Sequence, residues 1–212
     1  SKSTIPNLIT MIGSTETAKK VISDSSTSIK KYSMELGGNA PFIVFDDADL
    51  DNAINIGAAI KFGNCGQICV AANRFFVHEK VYDKFLNGLI EKAKNLKIGY
   101  SEDLDFEIGP LISKKSRDRI TNLIKDTIDS GGNLEYGGGI PEMNGNWFEP
   151  TVISGINESM SIFHEEIFGP VASIIKFKYD EEVLNQANKT QYGLASYLFT
   201  KDKKRIDKFV DE

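Results

Sequence analysis

Short runs rich in Phe, Ile and Val alternate with longer amphipathic segments along this chain, and a chain built on that alternation can bury its core in few ways. Phe42-Ile43-Val44-Phe45, Arg74 to His78 and Ala172 to Phe177 are too short for buried helices and read as strands. After the second of them, Tyr82, Phe85, Leu86, Leu89, Ala93 and Leu96 fall at three- and four-residue steps, which predicts an amphipathic helix over Glu79 to Lys97 with one buried face. A loop through Ile108-Gly109-Pro110 leads to a second such helix, from about Lys114 to Ser130, stopping at Gly131-Gly132. Strands are expected near Leu134-Glu135-Tyr136 and Val152-Ile153, with the loop Gly137 to Asn146 between them. Glu181 to Asn188 reads as helix, Leu194 to Thr200 as strand and Lys203 to Asp211 as helix. The expected fold class is therefore α/β, a layered, largely parallel sheet flanked by helices.

Leu8-Ile9-Thr10-Met11-Ile12 reads as a buried strand, and Gly13-Ser14-Thr15-Glu16 then opens a helix through about Ser23. Such a junction can present backbone N–H groups and the positive end of a helix to a phosphate. A simple helix cap by Ser14 or Thr15 accounts for the same residues. Asp46, Asp47 and Asp49 are expected to cap a helix running towards Phe62, where the helix dipole favours acids. A metal site is the competing reading of that acidic cluster, but no second ligand cluster accompanies it. His78 and His164 are expected at a strand end and in a loop, with no partner suited to metal or relay chemistry.

Two reactive side chains stand in glycine-containing loops. Glu35 lies in Met34-Glu35-Leu36-Gly37-Gly38-Asn39, and Cys69 ends Asn64-Cys65-Gly66-Gln67-Ile68-Cys69. A thiolate adds readily to an aldehyde carbon, and a carboxylate can take a proton from the water that hydrolyses the resulting thioester. Each residue also has a quieter reading. Cys69 can be a small buried hydrophobe, and Glu35 a carboxylate fixing the turn before Gly37-Gly38.

Glu-Leu-Gly-Gly-Asn at 35–39, Gly-Gln-x-Cys at 66–69 and Glu-Glu-Ile-Phe-Gly-Pro at 165–170 resemble, in order and spacing, the three signatures of the NAD(P)-dependent aldehyde dehydrogenases. The similarity runs from about Ile9 to the last residue. It implies Cys69 as nucleophile and Glu35 as the general base that activates water. Glu35 also argues against the relatives in which coenzyme A accepts the acyl group. By the same resemblance Glu166 and Phe168 hold the ribose and flank the ring of the nicotinamide, Leu36 offers its backbone to the carboxamide, and Gly13-Ser14 sits beside the pyrophosphate of NAD or NADP. The family usually has a second glycine where this chain has Ala18. Cys65 stands where the family commonly has another residue, so it reads as a neighbour of Cys69 rather than a partner. Four-residue spacing would put both on one face of a shared helix, yet a disulfide also needs close and correctly directed Cβ atoms.

The resemblance further implies that residues 1–34 are the last strand–helix unit of a cofactor-binding domain and residues 35–212 a catalytic domain lacking its C-terminal part. An oxyanion-stabilising asparagine is expected upstream, and the 212 residues alone are expected to be inactive. Lys61-Phe62-x-Asn64 and the run at 35–49 are similar to the succinate-semialdehyde branch, which commonly has arginine six residues before the cysteine; here that position is Gly63. A charged substrate end loses its bidentate partner there, so a short hydroxyaldehyde such as lactaldehyde, glycolaldehyde or glyceraldehyde is expected. Met160 to Glu166 also resembles the hydroxyaldehyde-oxidising members. The implied assembly is a homodimer or homotetramer.

Composition narrows the alternatives. A formal charge of −5 and pI near 5.2 argue against nucleic acid or an anionic membrane as main partner. Lys114-Lys115 and Lys203-Lys204-Arg205 read as solvated helix faces. No apolar stretch approaches the ~18 residues of a membrane span, and no signal-peptide pattern opens the chain, so a cytoplasmic location is expected. Two cysteines are too few for a disulfide framework or a four-ligand zinc site. An inert nucleotide-binding module and an oligomerisation piece are the rival functions.

Overall fold

The computed structural model describes residues 1–100 and 105–212, which form two compact units, Ser1–Gly38 and Asn39–Glu212. In the first unit β1 (Leu8–Ile12), α1 (Thr15–Asp24) and β2 (Lys31–Glu35) make a strand–helix–strand crossover, with β1 and β2 parallel and Ile12 opposite Glu35. Ser14 is the helix cap, its Oγ accepting from the Thr17 N–H at 3.2 Å. Two expectations are corrected here. Glu35 belongs to the end of a strand rather than to a loop, because the β1 ladder extends through it. β1 itself is not buried: Leu8 and Ile12 are 54% and 83% exposed, since one helix and one neighbouring strand cannot cover both of its faces.

The second unit contains β3 (Ala40–Val44), α2 (Leu50–Phe62), β4 (Ala72–His78), α3 (Tyr82–Asn95), α4 (Lys114–Asp129), β5 (Asn133–Tyr136), β6 (Thr151–Ser154), α5 (Ser161–His164), β7 (Val171–Phe177), α6 (Asp180–Asn188), β8 (Tyr197–Phe199) and α7 (Lys203–Asp211). Its strands form one sheet in the order β5-β6-β7-β4-β3-β8. β5 is antiparallel to β6 and the other pairs are parallel, as the alternation of elements predicts. Every residue of central β4 is buried, the pattern of a strand covered on both faces. Phe42 of β3 anchors the core, with ring centroids 4.9 Å from Phe75 and 4.6 Å from Phe199. On α3, Tyr82, Phe85, Leu89 and Ala93 are buried and Leu86 is partly so. A Cβ at Gly88 would collide with Ile54, so glycine lets α3 approach α2 closely.

Helix starts follow local chemistry. Asp49, Ser113 and Asp202 cap α2, α4 and α7, each cap being worth about 1 kcal/mol. Asp46 and Asp47 are not caps as expected. Asp46 pairs with Lys80 at 2.7 Å. Asp47 accepts from the Thr200 hydroxyl at 2.8 Å and from the Lys201 and Asp202 N–H groups, tying β3 to the start of α7. The expected strand at Leu194 to Thr200 shrinks to three residues at the sheet edge, and His164 closes a single helical turn rather than lying in a loop. Among the described residues no helix is long and apolar enough to cross a membrane.

Candidate active site

Parallel pairing brings three distant stretches of sequence to one end of the sheet. β7, β4 and β3 are adjacent and point the same way, so the residues that enter them share one edge. Asn39 enters β3, Cys69 to Ala71 enter β4, and residues 165–170 enter β7. Direct contacts fasten these entries together. Asn39 Nδ2 donates to the Phe163 carbonyl at 3.0 Å, and the buried Arg74 guanidinium donates to the Asn39 carbonyl at 2.9 and 3.1 Å. A Cβ at Gly66 would overlap the Gly169 carbonyl, so the backbones of the second and third signatures lie against each other.

The turn that carries Cys69 is strained. α2 stops at Phe62, and the 3-10 turn Gly63–Gly66 follows, with φ of 49° at Asn64, 57° at Cys65 and 68° at Gly66. Left-handed backbone at the two non-glycine residues costs about 1–3 kcal/mol each. Side chains hold it in place. Asn64 Nδ2 donates to the Gln67 carbonyl at 3.1 Å, while Gln67 Nε2 donates to the carbonyls of Asn64 and Pro110 and its Oε1 accepts from the Ile112 N–H at 2.8 Å. Just past Cys69, the Val70 carbonyl accepts from the Tyr197 hydroxyl at 2.8 Å.

The two cysteines differ in setting. Both are free; Cys69 is half-buried and Cys65 is buried. They share no helix, because the left-handed turn separates them. Burial pushes the Cys65 thiol up to about 12, with Lys61 opposing, which leaves it protonated and unreactive at neutral pH. Among the described residues, Gly63 has Ile68 Cδ1, at 4.0 Å, as the one atom within 4 Å of the position its Cβ would take. That is ordinary van der Waals contact, so a Cβ there meets no clash.

Residues 165–170 form a second strained loop, with Phe168 at φ 48° and 38% exposed. Arg119 of α4 donates to the Glu166 carbonyl at 3.4 Å and to that of Ile167, and Thr151 donates its N–H to the Pro170 carbonyl at 2.8 Å. Glu166 is half-buried. Lys61, at the end of α2, is buried and its Nζ donates to Asn73 Oδ1 at 3.2 Å. Sequence reasoning passed over Arg119 and Tyr197 and read Lys61 only as part of a branch-like string. Their partners lie 47, 127 and 12 residues away, and no local pattern marks such contacts.

In the first unit, Gly13, Ser14, Glu35 and Leu36 gather at the carboxyl ends of β1 and β2. The Gly13 N–H donates to the Glu35 carbonyl at 3.0 Å. Gly13, Ser14 and the Glu35 side chain are exposed, Leu36 is half-buried, and Ala18 is buried in α1. Ligands of parallel α/β sheets bind outside such strand ends, next to a helix N-terminus. An exposed glycine–serine junction at a helix N-terminus is a place where backbone N–H groups can meet a phosphate. Among the described residues no three His, Cys, Asp or Glu side chains group as metal ligands.

The family model for aldehyde dehydrogenases matches residues 2–212. Over 193 residues the chain is 45% identical to the NADP(+) succinate-semialdehyde dehydrogenase 2 of Schizosaccharomyces pombe, covering 91% of this chain and 39% of that protein. Over 201 residues it is 41% identical to the NADP(+) D-glyceraldehyde dehydrogenase of Thermoplasma acidophilum, covering 92% of this chain and 40% of that protein. The crystal structure of succinate-semialdehyde dehydrogenase from Burkholderia pseudomallei superposes with a TM-score of 0.97 at 40% identity, covering 99% of this chain and 44% of the other. The chain thus spans about two fifths of the length of these relatives. With its motifs in order and its fold superposing throughout, the chain belongs to the aldehyde dehydrogenase family.

Proposed function

We propose that this chain carries the catalytic core of an enzyme that oxidises a short aldehyde to its carboxylic acid with NAD or NADP. The observation that carries the reading is the meeting of the Cys69 turn with the 165–170 loop through the backbones of Gly66 and Gly169. Residues 1–34 belong to the cofactor side and residues 35–212 to the catalytic side. Gly13 and Ser14 face the pyrophosphate, Glu166 accepts from the ribose hydroxyls, Phe168 flanks the nicotinamide, and the Leu36 backbone meets its carboxamide. When bound, the cofactor supplies a hydride acceptor.

Cys69 attacks as its thiolate and forms a tetrahedral thiohemiacetal. Backbone N–H groups around the strained turn stabilise the oxyanion. After hydride loss the acyl group is held on Cys69 as a thioester. Glu35 removes a proton from the attacking water, the thioester C–S bond breaks, and the thiolate leaves as the carboxylic acid forms. Cys65 takes no part, because burial keeps it a thiol.

Glycine at position 63 supports a short hydroxyaldehyde such as lactaldehyde, glycolaldehyde or glyceraldehyde, since no cation at that position holds a distal carboxylate. Succinic semialdehyde is the second reading, favoured by the 45% identity to an enzyme named for it. The assembly is proposed to be a homodimer or homotetramer. The test is reduced-nicotinamide formation by the whole protein with glyceraldehyde, lactaldehyde and succinic semialdehyde, using each cofactor. Turnover that disappears in Cys69→Ser supports the reading. Absence of turnover with every aldehyde removes it.

A further inference from the structure

One side chain from the edge of the sheet reaches the turn that presents Cys69. The Ala71 N–H donates to the Ile68 carbonyl at 3.0 Å, so Ile68 to Ala71 form a β-turn with Cys69 and Val70 at its centre. β8 is separated from β4 by β3, and Tyr197 reaches across that strand to donate its hydroxyl to the Val70 carbonyl at 2.8 Å. The Val70 carbonyl and the Ala71 N–H belong to one planar peptide group. That group is therefore held at both ends, by the turn on one side and by Tyr197 on the other, and rotating it would break both hydrogen bonds.

Packing does not require the hydroxyl. Phe199, two residues on and on the same face of β8, has its ring centroid 4.6 Å from that of Phe42, and the Tyr197 ring lies 5.8 Å from the same partner. A phenylalanine at position 197 would fill that space equally well. The strand that carries Tyr197 is short but anchored: Phe45 donates its N–H to the Phe199 carbonyl at 3.0 Å, and Asp47 holds the Thr200 hydroxyl and the Lys201 and Asp202 N–H groups. Tyr197 thus extends from a fixed strand rather than from a loose edge. Burial, and after it the charge of Cys69, push its phenol above the ordinary value, so it stays a donor across neutral pH.

We propose that Tyr197 is a positioning residue for the nucleophile: its hydroxyl locks the Val70–Ala71 peptide and thereby the turn that aims the Cys69 thiol at the substrate carbonyl. The inference rests on the reading that Cys69 attacks the aldehyde. Tyr197 acts through the turn and neither takes a proton nor forms a bond in the reaction. Attack on a carbonyl needs a narrow range of approach, and a turn free to reorient spends less of its time within it. The cost of losing the hydroxyl therefore falls on the chemical step and not on nucleotide binding.

The experiment is single-turnover and steady-state formation of reduced nicotinamide by the whole protein, from glyceraldehyde and from succinic semialdehyde with NAD and NADP, for wild type, Tyr197→Phe, Phe177→Leu and Cys69→Ser. Phe177 ends β7 at the opposite end of the sheet from the site, where it packs on Phe45 and His78 at 5.2 and 5.4 Å, so Phe177→Leu is the control for lost stability alone. Assays are run at a temperature where melting curves show every variant folded. Tyr197→Phe is expected to lower kcat and the single-turnover rate about tenfold with KM for the nucleotide unchanged, while Phe177→Leu keeps the wild-type rate. A wild-type rate in Tyr197→Phe, beside an inactive Cys69→Ser, overturns the inference and leaves the nucleophile reading standing. An equal fall in Phe177→Leu, or a rise in nucleotide KM as large as the fall in rate, also overturns it, because the hydroxyl would then support the fold at large. Turnover that survives in Cys69→Ser, or no turnover by wild type with either aldehyde, removes the reading on which the inference rests.

Discussion

Replacing Lys61 with Met tests the burial of a cation without reference to any activity. The amine titrates at 10.5 in its ordinary setting and at about 7 here, with burial the largest cause and Cys65 and Glu166 opposing it. Because the folded-state value is depressed, the unfolded chain binds the extra proton between about pH 7 and 10.5, and stability rises with pH through that window. Below the window the lysine is charged in both states and the folded protein bears the whole burial cost, about 5 kcal/mol from the size of the depression. Integrated, that cost is about 5 kcal/mol at pH 6 and about 2 kcal/mol at pH 9. Methionine has no such cost, and the loss of the Asn73 hydrogen bond and the change of packing are independent of pH. Cys65 does not interfere, since burial keeps it protonated up to about 12. Urea denaturation of both proteins at pH 6 and pH 9 should therefore show the stability of Lys61→Met relative to wild type falling by roughly 3 kcal/mol as the pH rises. A relative stability that is the same at both pH values would refute the reasoning, because it would mean that the amine is as well solvated in the folded protein as in the unfolded chain.

Other perturbations read different parts of the account. Gly66→Ala places a Cβ on the Gly169 carbonyl at a residue with φ 68°, so a stability loss of about 2–4 kcal/mol is expected in denaturant melts, together with loss of Cys69 reactivity; a variant as stable and reactive as wild type would show that the two signatures do not meet there. The Cβ of Gly63→Arg meets no clash among the described residues, with Ile68 at 4.0 Å, so the variant should fold and raise kcat/KM for succinic semialdehyde relative to glyceraldehyde by about tenfold or more, measured by competing the two substrates. An unchanged ratio would remove Gly63 from the specificity argument.

Some of this structure could be read from the chain and some could not, and the difference is physical. α3, α4 and α7 are legible because each has an apolar face at helical spacing, and α4 and α7 also have a capping side chain in the adjoining residue, Ser113 or Asp202. β4 and β7 are legible because both faces are buried and the sequence is correspondingly apolar. β2 is not, since Lys31-Tyr32-Ser33-Met34-Glu35 is mostly exposed and exists by virtue of its ladder with β1. Asp47 looks like a cap because capping is a local rule, whereas its partners are the residues that open α7, more than 150 positions away. The same limit applies to the candidate site. Cys69 stands out because its neighbours in sequence form a motif. Tyr197 and Arg119 reach the site only through the folded sheet, and Lys61, though next to the turn in sequence, shows its burial only in the fold.

The central claim is that Cys69 is the nucleophile of an aldehyde oxidation and Cys65 its buried bystander. The most direct measurement is reduced-nicotinamide formation by the whole protein alongside mass-spectrometric mapping of iodoacetamide alkylation at neutral pH, for wild type, Cys69→Ser and Cys65→Ser. The account predicts that label falls on Cys69, that Cys69→Ser loses both label and turnover, and that Cys65→Ser keeps both. Turnover that survives in Cys69→Ser, or label that falls first on Cys65, would contradict it.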